Sequence, residues 1–188
     1  MRVELYGCQQ ACQQALGMEN GDILDEQITA SSEKGSNHAA HQGRLHFKKV
    51  QGIFGAWTAD NDDLHQWLQV DTGSPYTKVT RVATQGRDAT GTNQWVTRYK
   101  LQYGINGVHF RYYREQGQTT NKDFSGNTDQ STVVSHELNP PIRARYVRFR
   151  PETWYGHISM RVELYGCQGS AKRLSFRTHI NNALYSLI

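Results

Sequence analysis

Several stretches of the chain gather side chains that could do chemistry. Asp60, Asn61, Asp62 and Asp63 form an unbroken run of oxygen-bearing groups, the donor type that calcium prefers. The run lacks the glycine and the terminal glutamate of an EF-hand loop, so it is a candidate calcium site on donor type alone. His38 and His41 carry the ligand zinc favours, but a three-residue spacing in a turn-rich stretch does not fix a shared geometry. No Gly-x-Ser-x-Gly, His-Glu-x-x-His or phosphate-cradling glycine loop occurs. The expectation is a chain that binds rather than catalyses, with no resident cofactor beyond that calcium option.

The elements that must position these residues read as strands. The chain has 188 residues, enough for one good-sized domain with short flanks. Aromatics reach 11% and glycines number 17, while the hydrophobic share is 37%, a balance that suits strands and turns better than helices. Apolar and polar residues alternate in His65 to Asp71, Val79 to Thr84, Thr97 to Gly104, His109 to Glu115, Ser131 to Leu138, Arg143 to Arg150 and Ser159 to Gly166. Asn106-Gly107 signals a hairpin turn, and Pro140-Pro141 is expected to interrupt between strands. No helical stripe of useful length occurs, so the fold class is all-β, a sandwich or barrel.

The formal charge is +4, yet Lys172, Arg173 and Arg177 fall in the last twenty residues, and the rest is close to neutral. Basic residues elsewhere are interleaved with acids, which argues against nucleic acid as a partner. No run is long and apolar enough for a membrane span, and the N-terminus has no signal-peptide pattern.

The segment Met1-Arg-Val-Glu-Leu-Tyr-Gly-Cys-Gln9 recurs unchanged as Met160 to Gln168, a repeat at domain length. Residues 1–11 therefore read as the last strand of a preceding unit in a tandem array, 12–168 as one domain, and 169–188 as an unrelated, disordered tail. On that division Cys12 and Cys167 close the ends of the domain and Cys8 is left over. A bridge there would stabilise by at most about 5 kcal/mol and would imply an oxidising compartment. Reduced thiols, or a bridge to Cys8 within or between chains, are the alternatives.

In order, the chain carries Leu16-Gly-Met-Glu-Asn-Gly21, Gln27-Ile-Thr-Ala-Ser-Ser32, Gly43-Arg-Leu45, Ala56-Trp57 and Gln66-Trp-Leu-Gln-Val-Asp71. These are followed by Thr84-Gln-Gly86, Phe124-Ser-Gly-Asn127, Pro140-Pro-Ile142, Arg145-Tyr-Val-Arg148 and Met160 to Cys167. Together they closely resemble the discoidin domain family, also called the coagulation factor V/VIII type C domain, from Cys12 to Cys167. The resemblance implies a jelly-roll β-sandwich, galactose-binding-domain-like, of about eight core strands. It also implies bridged terminal cysteines, binding loops at one end, and Trp57, Trp67 and Trp154 as core residues. Members of that family are extracellular recognition and adhesion modules, and the fold leaves the ligand open.

The loops that the resemblance assigns to that end are rich in short polar groups. Asn37, His38, His41, Asp60, Asp62, Arg87, Asp88 and Tyr155 suit the hydroxyls of a cell-surface or matrix glycan of galactose type. The alternative partner is an anionic phospholipid surface, met by Phe47 and Phe54 with Lys48 and Lys49 beside them. A third reading is a protein-interaction spacer in a multidomain adhesive protein. In all three, tandem repetition would add avidity to a weak site.

Overall fold

A computed structural model describes residues 12–169. The expected piece 1–11, with Cys8, and all of the expected 169–188 tail except Gly169 lie outside the described residues. The strands are β1 (Gln14–Ala15), β2 (Ile28–Ala30), β3 (Trp57–Thr58), β4 (Leu68–Asp71), β5 (Lys78–Gln85), β6 (Trp95–Gly104), β7 (Arg111–Tyr112), β8 (Phe124–Ser125), β9 (Val134–Arg143), β10 (Tyr146–Tyr155) and β11 (Ser159–Cys167). They form two antiparallel sheets. One runs β1-β11-β5-β9 with β3 also on β11, and the other runs β2-β4-β10-β6-β7 with β8 on β6. The helical content of the described residues is short 3-10 turns at Asp25–Gln27, Ser36–His38 and Ala40–Gly43.

Alternation explains how the sheets face each other. Leu68 and Val70 of β4, Tyr99 and Leu101 of β6, Val147 and Phe149 of β10, and Val162 and Leu164 of β11 are buried together in one core. Opposite them, on the outside of the second sheet, Arg145 donates two hydrogen bonds to Asp71 at 2.8 and 2.7 Å, and Arg148 donates to Gln69 at 2.8 Å. Arg145 and Arg148 are thus engaged in strand-face partnerships. β11 is the exception to alternation: Arg161 and Glu163 are as buried as their apolar neighbours Met160, Val162 and Leu164.

Register fixes the two ends of the sandwich. At one end lie the start of β6, the end of β10 and the start of β11, joined by Trp95 opposite Tyr155 and Met160 opposite Trp57. At the other lie Lys78, Arg143 and Cys167, aligned across β5, β9 and β11. There Cys12 and Cys167 are joined by a disulfide.

Some sequence expectations change. Pro140 and Pro141 sit inside β9, not between strands. β9 is the edge of its sheet, paired to β5 alone, and its register jumps between Glu137 and Ile142, so the missing N–H groups cost no ladder bonds. Of His109 to Glu115 only Arg111–Tyr112 pair as a strand. Trp67 belongs to the outer face, where the Arg148 guanidinium lies 4.1 Å from its ring centroid and 3.6 Å from that of Phe110. Trp57 is fully buried, and Trp154 packs against the core from its rim.

The disulfide closes the whole domain, which gives a direct check. In a Cys8→Ser variant, the tryptic peptides spanning residues 3–34 and 162–172 are expected to run as one species until reduction. Separate peptides before reduction would show that the bridge does not form.

Candidate ligand-binding loop end

The loops at the β6-start end are held at their bases by one buried cation. Arg161 is 1% exposed, and its guanidinium donates to the carbonyls of Gly86 at 2.7 Å, Phe47 at 3.0 Å and Gln130 at 2.7 Å. Burial lowers its pKa, with Asp88 nearby pulling the other way. Sequence reading passed over this residue, although an arginine where a core-facing strand should alternate was the available signal.

Above that anchor, a hairpin spans 48–54. Val50 and Ile53 exchange backbone hydrogen bonds at 3.1 and 3.0 Å, and Gly52, with φ of +79°, makes the reversal. Its base is clamped by Asp88, whose carboxylate accepts from the Lys49 N–H at 2.9 Å and whose backbone pairs with Gly55. A side chain at Gly55 would collide with Asp88, since an added Cβ would meet the Asp88 Cβ at 2.6 Å. The apolar tip consists of Val50, 53% exposed, and Ile53, 37% exposed, with Lys48 and Lys49 exposed alongside. Phe47 and Phe54, the aromatics expected there, are half-buried at the base.

Phe54 is the middle layer of a stack. The His38 ring lies against one part of it at 4.4 Å, and the Arg87 guanidinium sits 4.3 Å from its centroid. Arg87 also donates to Gln94 Oε1 at 2.5 Å, and the Asn37 Oδ1 lies 2.7 Å from His38 Nδ1. His38 and Arg87 are both buried. Burial, then the charges of Arg87 and Lys34 and the neighbouring His157, hold the His38 imidazole down to about 4.

The remaining polar candidates divide. Asp62 accepts from the Ile158 N–H at 2.8 Å and pairs with His157 Nδ1, which fastens the 58–65 loop to the β10–β11 turn. Asp63 accepts from the His65 N–H at 2.7 Å and from Gln66 Nε2 at 3.0 Å. The acids of the 60–63 run thus face different partners, and no cluster of three or more His, Cys, Asp or Glu suited to a metal ion occurs among the described residues. Asp60 is exposed and His41 half-buried. Tyr155 is 53% exposed and stacks on Trp95, centroids 4.5 Å apart and planes 10° from parallel. This pair forms an open aromatic platform. The loop end therefore offers an apolar hairpin tip flanked by lysines and a separate aromatic face.

The fold agrees with what the chain resembles among known proteins. The family model described as F5/8 type C domain matches residues 27–164. A human relative, EGF-like repeat and discoidin I-like domain-containing protein 3, is 42% identical over 171 residues, which cover 89% of this chain and 35% of the relative. Rat lactadherin is 42% identical over 174 residues, covering 89% of this chain and 39% of its own length. The solved structure of discoidin II of Dictyostelium discoideum superposes with a TM-score of 0.66 at 28% identity, over 76% of this chain and 56% of that one. The chain belongs to the F5/8 type C, or discoidin, domain family. It spans between a third and two fifths of these two curated relatives.

Two tests follow from the geometry. Replacing Arg161 with Met leaves the Gly86, Phe47 and Gln130 carbonyls buried without a donor, and urea unfolding should show a loss on the order of 3–5 kcal/mol. A loss below 1 kcal/mol, on the same scale, would mean that water or another group replaces the guanidinium.

The His38 imidazole is neutral when folded down to about pH 4 but gains a proton near pH 6.5 when unfolded. Its contribution is full above pH 6.5 and is lost as the pH falls towards 4. Glu163, pushed up by burial, acts with the opposite sign, so the readout is the difference from a His38→Gln variant. Between pH 7.5 and 4.5 the urea midpoint of wild type should fall further than that of His38→Gln.

Proposed function

We propose that this chain is a non-catalytic, extracellular recognition module whose loop end docks on an anionic phospholipid surface. The observation that carries the reading is the 48–54 hairpin, with Val50 and Ile53 at the tip and Lys48 and Lys49 beside them. Asp62, Arg87, Asp88, Asn37 and His38, the groups suited to sugar hydroxyls, are engaged with one another, with Gln94 or with backbone. That leaves the apolar tip exposed beside two lysines, with Leu64 of the 58–65 loop also exposed at 56%. Burying what remains exposed of Val50 and Ile53 favours insertion by roughly 0.5–1.5 kcal/mol each, and each lysine near an anionic surface adds about 1 kcal/mol. The sum suits reversible binding that strengthens when several copies are linked. The disulfide agrees with an oxidising, extracellular setting. Among the described residues no helix is long and apolar enough to cross a membrane.

The Tyr155–Trp95 platform supports a second reading, a glycan held by stacking of a galactose-type ring on the exposed face of Tyr155. One experiment separates the two. Co-sedimentation with vesicles of phosphatidylcholine, with and without phosphatidylserine, is run for wild type, Val50→Asp/Ile53→Asp and Tyr155→Ala, beside a multivalent glycan array. Serine-lipid-dependent binding that drops at least tenfold in the hairpin variant, and little in Tyr155→Ala, is the expected result. Binding to galactosides that Tyr155→Ala loses, with no vesicle binding, would replace the membrane reading with the glycan one.

A further inference from the structure

The end of the sandwich opposite the loops carries a surface that the membrane reading does not use. Tyr103 of β6 and Arg111 of β7 are register partners, and the guanidinium lies 5.1 Å from the Tyr103 ring centroid. On one side of this pair is a cavity of about 280 Å³ bordered by His109, Phe110 and Arg143. On the other is a cavity of about 450 Å³ bordered by Tyr112 and Arg114. Both cavities are lined by Tyr103 and Arg111 and so adjoin at that pair, as two lobes of a trough with the pair at its waist. Arg143 ends β9, so both sheets contribute to it.

Several cations nearby are paired: Arg98 and Lys100 with Asp123, Lys122 with Glu115, Arg145 with Asp71. Arg111, Arg114 and Arg143 are exposed, and among the described residues none has a carboxylate within ion-pair distance. A planar guanidinium takes sulfate or carboxylate through two parallel hydrogen bonds. Aromatic side chains beside such cations give sugar rings a face to lie against.

We infer that this trough binds a sulfated, uronate-bearing polysaccharide chain. Arg111 takes an anionic group at the waist, and Arg143 and Arg114 take groups on the sugars to either side. The two-lobed shape matches a linear polymer that carries charge on successive sugars. An acidic peptide fits less well, because it would gain affinity by adding a strand to the sheet edge, and β7 is only two residues long.

The test uses the full chain, with Lys172, Arg173 and Arg177 changed to Gln in every protein so that their charge does not contribute. Binding of a heparin octasaccharide, the same octasaccharide stripped of sulfate, and a glutamate decapeptide is measured by calorimetry. The expected result is binding to heparin at least tenfold tighter than to the other two, falling at least tenfold in Arg111→Gln/Arg143→Gln. Val50→Asp/Ile53→Asp should bind heparin as the parent does, and Arg111→Gln/Arg143→Gln should bind serine-lipid vesicles as the parent does. Either site can therefore fail without the other. Equal heparin binding by Arg111→Gln/Arg143→Gln and the parent would overturn the assignment. So would decapeptide binding that matches heparin and is lost in the same variant, which would make the trough a site for acidic peptides.

Discussion

Burying charge on a central strand constrains much of this domain. β11 lies between β1 and β5 and also pairs with β3, and its side chains are almost all buried on both faces. Two of them, Arg161 and Glu163, share a face and are ionisable. Each meets the need for partners in the way its chemistry allows. The guanidinium has only donors, so it gathers carbonyls from Phe47, Gly86 and Gln130. The carboxylate has only acceptors when ionised, and it receives N–H groups from Met18 at 3.1 Å, Glu19 at 2.9 Å and Leu164 at 2.9 Å. Arg44 completes the brace by donating to the Met18 carbonyl at 2.8 Å and to Asp25 at 2.6 Å. Segments far apart in the chain are thus fastened to one strand, because leaving any of these groups alone in a dry interior would be costly.

This anchoring decides which loop residues remain available. When a loop base is tied by backbone carbonyls, the loop's own polar side chains can settle into contacts with neighbouring loops. Asp62 reaches the β10–β11 turn, Asp88 holds the hairpin, and Arg87 packs on Phe54. A polar loop sequence is therefore equally compatible with a ligand site and with loops that grip each other. Geometry separates the two, and here it leaves the hairpin tip, Leu64 and Tyr155 as the exposed large side chains of the loop end.

The sequence carried the fold because its signals were local or duplicated. Period-two alternation marked β4, β5, β6, β10 and β11 within a few residues of their observed bounds, and the repeated segment pointed to Cys12 and Cys167 as the closing pair. It misled where tertiary position overrides local preference. Pro140-Pro141 break a central strand but are tolerated in β9 because that strand is an edge with a register jump. Trp67 looks like a core residue by type, yet alternation with Leu68 sends it outward, where Arg148 covers it. The hairpin shows the same limit at finer scale. Phe54 is the larger hydrophobe, but the Gly52 turn projects Val50 and Ile53 and draws Phe54 back between His38 and Arg87. Turn position, more than side-chain size, determines what a loop presents.

The two ends of the sandwich are chemically different, and the strand directions keep them apart. β6 and β10 run the length of the second sheet, with Trp95 and Tyr155 at one end and Gly104 and Tyr146 at the other. The hairpin tip belongs to the first end, and the Tyr103–Arg111 trough to the second. Cys12 and Cys167 also lie at the second end. Occupants of the two ends would not compete for space. A molecule held at the trough would instead raise the local concentration of the loop end at whatever surface carries that molecule, which adds to modest affinity without any new contact. If both proposed surfaces bind, attachment through such a module would depend on the combination of two weak, separate surfaces more than on the strength of either.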